Sequence, residues 1–297
     1  MPKKRQRQTK KRQRQRREAI PTHFTLDEFN EFVLPHLPEP PRFGPTPKVT
    51  AYKTFNYILR FLYLGCQWVS LPIDLDKDGK PEIHYTNIYR RFKTWIEHGL
   101  FKIVFEGSVS LLAQRGFLDT SILHGDGTTT AAKKGGDNLG YSGHKHLKGD
   151  KVVAICDRNC NIVAPFIAAP GNRHESPLLL PALEELKSSA ATAGFELAQG
   201  VMSLDSAYDS RVNRKKIFNM GMTPNIPENT RNRKSTKRGR KRMFSQSIYK
   251  ERFRTIERVF AWEDKFKRLL LRFEFYSEHH YGLKLLAYTM INLRHFC

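Results

Sequence analysis

Apolar and polar positions follow two different periods along this chain, and the period changes near residue 116. A short helix is expected from Thr25 to Leu37, opened by a capping box in which Glu28 follows Thr25 by three residues. Pro35, Pro38, Pro40, Pro41, Pro45 and Pro47 end it and make a semi-rigid spacer. A second helix follows, with Phe55, Ile58, Leu59 and Leu62 on one face. A third begins near Thr86, turns Ile88, Phe92, Trp95 and Ile96 inward and Arg90, Arg91 and Lys93 outward, and stops at Gly99. Residues 21–115 therefore read as a small all-α domain with one basic helix. That helix has two readings, a reader of the DNA major groove or the solvated face of an ordinary bundle.

Beyond residue 116 the runs are short and β-like, broken by Gly and Asn. SILHGD, HLKGDKVVAICD and IVAPFIAAP form a meander, and Asp126 ends its first strand. The helix SPLLLPALEELKSSA follows, then the strand GVMSLD carrying Asp205. Asp209 is expected to cap the helix SRVNRKKIF. A strand near TPNIP and two C-terminal helices complete the chain, the first running from about Gln246 to Phe273. These units describe an α/β fold, a mixed ribonuclease-H-like sheet flanked by helices, over residues 116–297.

Charge adds a partner to this outline. The chain has 297 residues and a formal net charge of +22. Residues 1–17 hold ten Lys or Arg and residues 229–242 hold eight, with no acid in either run. Without them the formal charge falls to about +4, so the excess sits in a disordered basic arm, residues 1–20, and in one internal segment. Two separate acid-free blocks favour a polyanion, bound with counterion release, over simple solubility. Four cysteines make no disulfide framework, no apolar run is long enough for a bilayer, and the N-terminus lacks an apolar signal region. The cytoplasm, in association with the nucleoid, is the expected home.

Three carboxylates carry the candidate chemistry: Asp126 in HGDGT, Asp205 in VMSLDSAYDS and Glu257 in RFRTIERVFAW. They are 79 and then 52 positions apart, so only folding could gather them, and gathered hard oxygens suit Mg²⁺. Each has a blander reading. Asp-Gly is first a turn signal, and Glu257 lies beside the stripe Tyr249, Phe253, Ile256 and Phe260 with Arg254 as an ordinary ion-pair partner. Asp74, Asp76, Asp78 and Gly79 open like a calcium loop, but the twelfth position is Tyr85, so a polar turn is expected. His144, His146, Cys156 and Cys160 offer zinc-type ligands at no known finger spacing. No G-x-S-x-G or phosphate-binding loop supports an esterase or an ATP-driven enzyme.

HGDGTTT, LDSAYDS and YKERFRTIERVFAWEDKFKRLLLRFE resemble the three catalytic blocks of the DDE transposases of bacterial insertion sequences. HHYGLKLLAYTMINLRHF is similar to that family's C-terminal end, and LGCQWVSLP with IYRRFKTW to its helical region before the core. The resemblance implies an enzyme that binds the terminal inverted repeats of its element and carries out metal-dependent DNA cleavage and strand transfer. It implies two Mg²⁺ or Mn²⁺ ions between Asp126, Asp205 and Glu257, double-stranded DNA as partner at both element end and target, and a homodimer on paired ends. Residues 21–115 become the DNA-end-binding domain. Tyr249, Arg252 and Lys265 fall near the family's Tyr, Arg and Lys contacts to the DNA end, but Glu257 stands one residue late and Asp264 holds the Lys position. Lys133, Lys134, Lys145 and Lys148 are further candidates for phosphate contacts. A second class remains, a non-catalytic nucleic-acid-binding protein or repressor derived from such an enzyme, which would bind DNA with steep salt dependence and cut nothing.

Overall fold

The structure, a computed structural model, describes residues 19–38, 48–229 and 242–297. The basic arm, most of the proline stretch and nearly all of the basic segment 229–242 lie outside the described residues.

The capping box opens α1 (Leu26–Phe32): Glu28 N–H donates to Thr25 Oγ1 at 3.3 Å and Thr25 N–H donates to Glu28 Oε2 at 2.6 Å. The helix does not continue to Leu37, because Pro35 has no N–H to give to the preceding turn; Val33 leaves helical geometry at φ −121° and a 3₁₀ turn, Leu34–His36, follows. Next come α2 (Ala51–Leu64), α3 (Tyr85–Glu97) and α4 (Leu100–Gln114). Between α2 and α3, Asp76 Oδ1 accepts the N–H groups of Asp78 and Lys80 at 3.0 Å each, which makes the acidic stretch a polar turn. One expectation for α3 is corrected. Arg91 is not turned outward but is half-buried, its Nη1 donating to Val49 O at 3.4 Å and Thr54 Oγ1 at 3.2 Å. Its position three after Ile88 and four before Trp95 places it at the edge of the apolar stripe, where the arginine stem packs.

The sheet contains β1 (Ile122–Ala131), β2 (Gly140–Ser142), β3 (Leu147–Cys156), β4 (Ile167–Pro170), β5 (Val201–Ser203) and β6 (Thr223–Asn225). Its order is β2-β3-β1-β5-β6, with β4 also on β3. The strands β1 to β4 pair antiparallel, whereas β5 and β6 run parallel to β1. This is the mixed ribonuclease-H-like sheet that the strand runs predicted, with β2 added. At one crossing Gly149 faces Ala131 and Gly140 at once, and a Cβ there would lie 2.0 Å from Thr130 O, so only glycine fits.

Helices cover both faces. On one, Leu123, Val153 and Ile155 pack against Leu179, Leu183 and Leu186 of α5 (Glu175–Ala193) and Ile217 of α6 (Arg211–Asn219). Ser210, not Asp209, caps α6, accepting from Asn213 N–H at 3.1 Å. Asp209 instead accepts Asn229 N–H at 2.9 Å, Arg214 Nε at 2.9 Å and Arg242 Nη1. The carboxylate thus finds cations and an amide that satisfy it better than a helix end could.

On the other face Ala154 and Cys156 share a core with α8 (Ile256–Glu263) and α9 (Ser277–Leu293), which follow the short α7 (Gln246–Glu251). Phe55, Phe92, Phe101, Ile256, Val259, Leu286 and Met290 belong to one continuous core there, so α2 to α4 are built onto the sheet half through shared packing. The expected helix from Gln246 to Phe273 is corrected: it breaks at a 3₁₀ turn, Arg252–Arg254, and Thr255 has φ −118° and ψ −96°. Buried Thr255 bonds back through Oγ1 to Glu251 O at 3.1 Å and Arg252 O at 3.4 Å, which competes with helical pairing. Phe253 consequently leaves the apolar stripe and is 66% exposed. Among the described residues no helix is long and apolar enough to cross a membrane.

Candidate active site

Strand alternation sets Asp126 on the face of β1 that looks toward α8 and α9, beside Ala154 of β3. Its Oδ1 accepts Gly127 N–H at 2.8 Å and its Oδ2 accepts Arg252 Nη2. Burial pushes the carboxyl up to about 6, against the pull of Arg252 and the Gly127 amide, with Asp205 and Glu175 adding to the rise. Asp205 leaves the end of β5, the parallel neighbour of β1, and opens the 3₁₀ turn Ser206–Tyr208 by accepting Ala207 N–H at 2.8 Å. Its charge reaches both Asp126 and Arg252.

Glu257 stands in the first turn of α8, with Oε1 3.6 Å from Arg252 Nη2. Its partner is therefore Arg252 and not Arg254. In an unbroken α-helix two residues five apart would point about 140° away from each other. The break at residues 252–255 removes that constraint and takes up the one-residue displacement of Glu257 seen in the sequence. Arg252 also donates Nη1 to Tyr249 OH at 3.1 Å and lies 5.4 Å from the centre of that ring.

Three carboxylates are the right chemistry for hard divalent ions. Two of them, however, meet at a guanidinium, and among the described residues no group of three or more His, Cys, Asp or Glu side chains is drawn together to hold a metal ion. His144 and His146 are exposed, Cys156 and Cys160 are buried, and all four cysteines are free.

Several neighbours of the site carry no strong sequence signal. Glu175 opens α5 beneath Gly127, where a Cβ would meet its carboxyl carbon at 2.8 Å, and it pairs with Lys151 at 3.0 Å. Only the glycine after Asp126 hinted at a close approach. His124, two residues before Asp126, is fully buried with neither ring nitrogen hydrogen-bonded, and burial holds its pKa down to about 4. Of the basic candidates, Lys133, Lys134, Lys145, Lys148, Lys265 and Arg90 are exposed, while Lys93 and Tyr249 are partly exposed. The helix bearing Arg90, Arg91 and Lys93 packs on α2, α4 and α9.

A mixed sheet flanked on both faces by helices defines a ribonuclease-H-like α/β protein. The model of the transposase DDE domain family matches residues 113–290, and the chain belongs to that family. Two solved structures are similar to the chain: a Mos1 transposase paired-end complex with left transposon end and a pre-cleavage Mos1 transpososome. The first is 11% identical, with 63% of this chain and 61% of that chain covered and a TM-score of 0.27. The second is 10% identical, with 86% and 80% covered and a TM-score of 0.27. The chain thus spans about three fifths of the first. No curated protein matches.

Proposed function

We propose that this chain is a transposase that binds the terminal inverted repeats of an insertion sequence and performs metal-dependent strand cleavage and strand transfer through Asp126, Asp205 and Glu257. The observation that carries the reading is the meeting of Asp126 and Glu257 at one cationic group, with Asp205 just past the end of the strand beside β1. In this family such acids hold divalent ions, and two Mg²⁺ or Mn²⁺ would activate the attacking oxygen and stabilise the leaving one. The chain's own part is to hold Asp126 on β1, Asp205 just past β5 and Glu257 in the first turn of α8, and to keep Asp126 dry.

Lys133, Lys134, Lys145 and Lys265 are assigned to phosphate contacts, as are Tyr249 and Arg252 at the site and Arg90, Arg91 and Lys93 on α3. Half-buried Arg91 would serve that purpose by bracing α3 more than by touching phosphate. Pairing of two element ends calls for a homodimer on DNA.

The test is a cleavage assay on duplexes ending in the element's terminal repeats, with Mg²⁺ or Mn²⁺. Wild type should cut, and Asp126→Asn should bind the same duplex without cutting. Metal-dependent cutting that survives Asp126→Asn overturns the assignment of the acids. Salt-sensitive binding by a wild type that never cuts overturns the enzyme and leaves the non-catalytic DNA-binding protein.

A further inference from the structure

Asp126 and Glu257 lie 131 positions apart, yet each sets a carboxylate oxygen against the same atom, Nη2 of Arg252. The Asp126 half of the contact is not a loose surface pair, since the Arg252 side chain is only 12% exposed and that of Asp126 11%, while Glu257, 45% exposed, closes the outer side. The break between α7 and α8 is what allows it, because it swings the start of α8 back over Arg252. Arg252 also has a second foothold, the ring and hydroxyl of Tyr249.

A divalent ion held by Asp126 and Glu257 needs the oxygens that the guanidinium already engages. An ion and a guanidinium cannot share them, because two cations side by side in a half-buried pocket repel each other. The geometry points to Arg252 as an internal counter-cation that sets the affinity of the site for divalent ions: loading requires its guanidinium to leave Asp126 and Glu257, while Tyr249 keeps hold of it. This rests on the proposed function, in which these acids bind metal. It gives Arg252 a task toward the ion in addition to any contact with DNA, and it makes ion affinity lower than the acids alone would produce.

The measurement is Mn²⁺ binding to the full chain without DNA, read from the electron paramagnetic resonance signal of free Mn²⁺. Arg252→Gln, which removes the charge, should bind Mn²⁺ roughly tenfold or more tightly than wild type, the scale of one charged hydrogen-bonded contact. Arg252→Lys keeps the charge but loses the planar guanidinium that sets Nη2 against both acids while Nη1 bonds Tyr249, and should bind a few-fold more tightly. Circular dichroism and the thermal midpoint establish that each variant is folded. If Arg252→Gln is not, Arg252→Lys alone decides. Asp126→Asn separates the two ideas. Should it weaken Mn²⁺ binding while both Arg252 variants match wild type, the counter-cation is overturned and the metal-binding acids stand. Should no variant and no wild type bind Mn²⁺, both fall together.

Discussion

Arg158, in the turn after β3, holds Glu251 with two parallel hydrogen bonds, Nε to Oε2 at 2.8 Å and Nη2 to Oε1 at 2.9 Å. Glu251 ends α7 immediately before Arg252, and Cys160 Sγ, from the same turn as Arg158, lies 3.2 Å from Arg254 O. The β3 turn therefore grips both ends of the short bend that joins Arg252 to Glu257. Because Arg158 is half-exposed, the pair contributes less than about 1 kcal/mol to stability. Its value is alignment. Arg158→Ala should leave the thermal midpoint nearly unchanged and lower the cleavage rate roughly tenfold with DNA affinity intact. A rate that falls only in step with stability would show the pair to be mere scaffolding.

Glu263 of α8 and Lys284 of α9 form a buried ion pair, and Lys284 lies 6.0 Å from the centre of the Tyr288 ring. Neither charge has water to fall back on. Lys284→Met should cost about 3–5 kcal/mol by stranding Glu263, whereas Lys284→Met with Glu263→Leu should recover most of it. Urea unfolding of the two singles and the double measures the coupling. Strict additivity would refute it.

Gly149→Ala brings a Cβ within 2.0 Å of the Thr130 carbonyl oxygen, a backbone atom that cannot rotate away. A destabilisation of at least about 2 kcal/mol is expected. Hydrogen exchange should show it first in the amides of β2 and the adjoining part of β3. Protection there that matches wild type would contradict the close crossing.

Asp157 is fully buried, and its carboxylate accepts the N–H groups of Asp119 at 2.9 Å and Asn161 at 2.7 Å. Burial outweighs these bonds and pushes its pKa up to about 6, above the value of about 3.9 in an unfolded chain. Between those limits the native state holds a proton that the unfolded state has shed, so this group's contribution to stability falls as pH rises through that window. Relative to Asp157→Asn, wild type should lose on the order of 2 kcal/mol between about pH 4 and pH 7. Parallel stability curves from urea unfolding would remove Asp157 as the source.

The sheet was legible because alternation and turn residues carry it: SILHGD, HLKGDKVVAICD and GVMSLD each hold a strand, though β1 runs on to Ala131, so that Asp126 lies within it and not at its end, and Asp205 lies just past β5. The broken helix was not. Residues 246–263 hold good helix formers at helical spacing, and what stops them is Thr255 turning its hydroxyl onto the chain behind it, a choice made by tertiary burial. The same break hid the meeting of Arg252 with Glu257, since spacing in an intact helix sets them apart. Arg91 misled for a simpler reason, standing one position from the boundary between stripe and surface.

Asp209 gathers Asn229 and Arg242 at one carboxylate, so two points of the chain thirteen residues apart are tied to a side chain four residues past Asp205. Removing that one carboxylate would release both anchors together, beside the turn that carries the second aspartate.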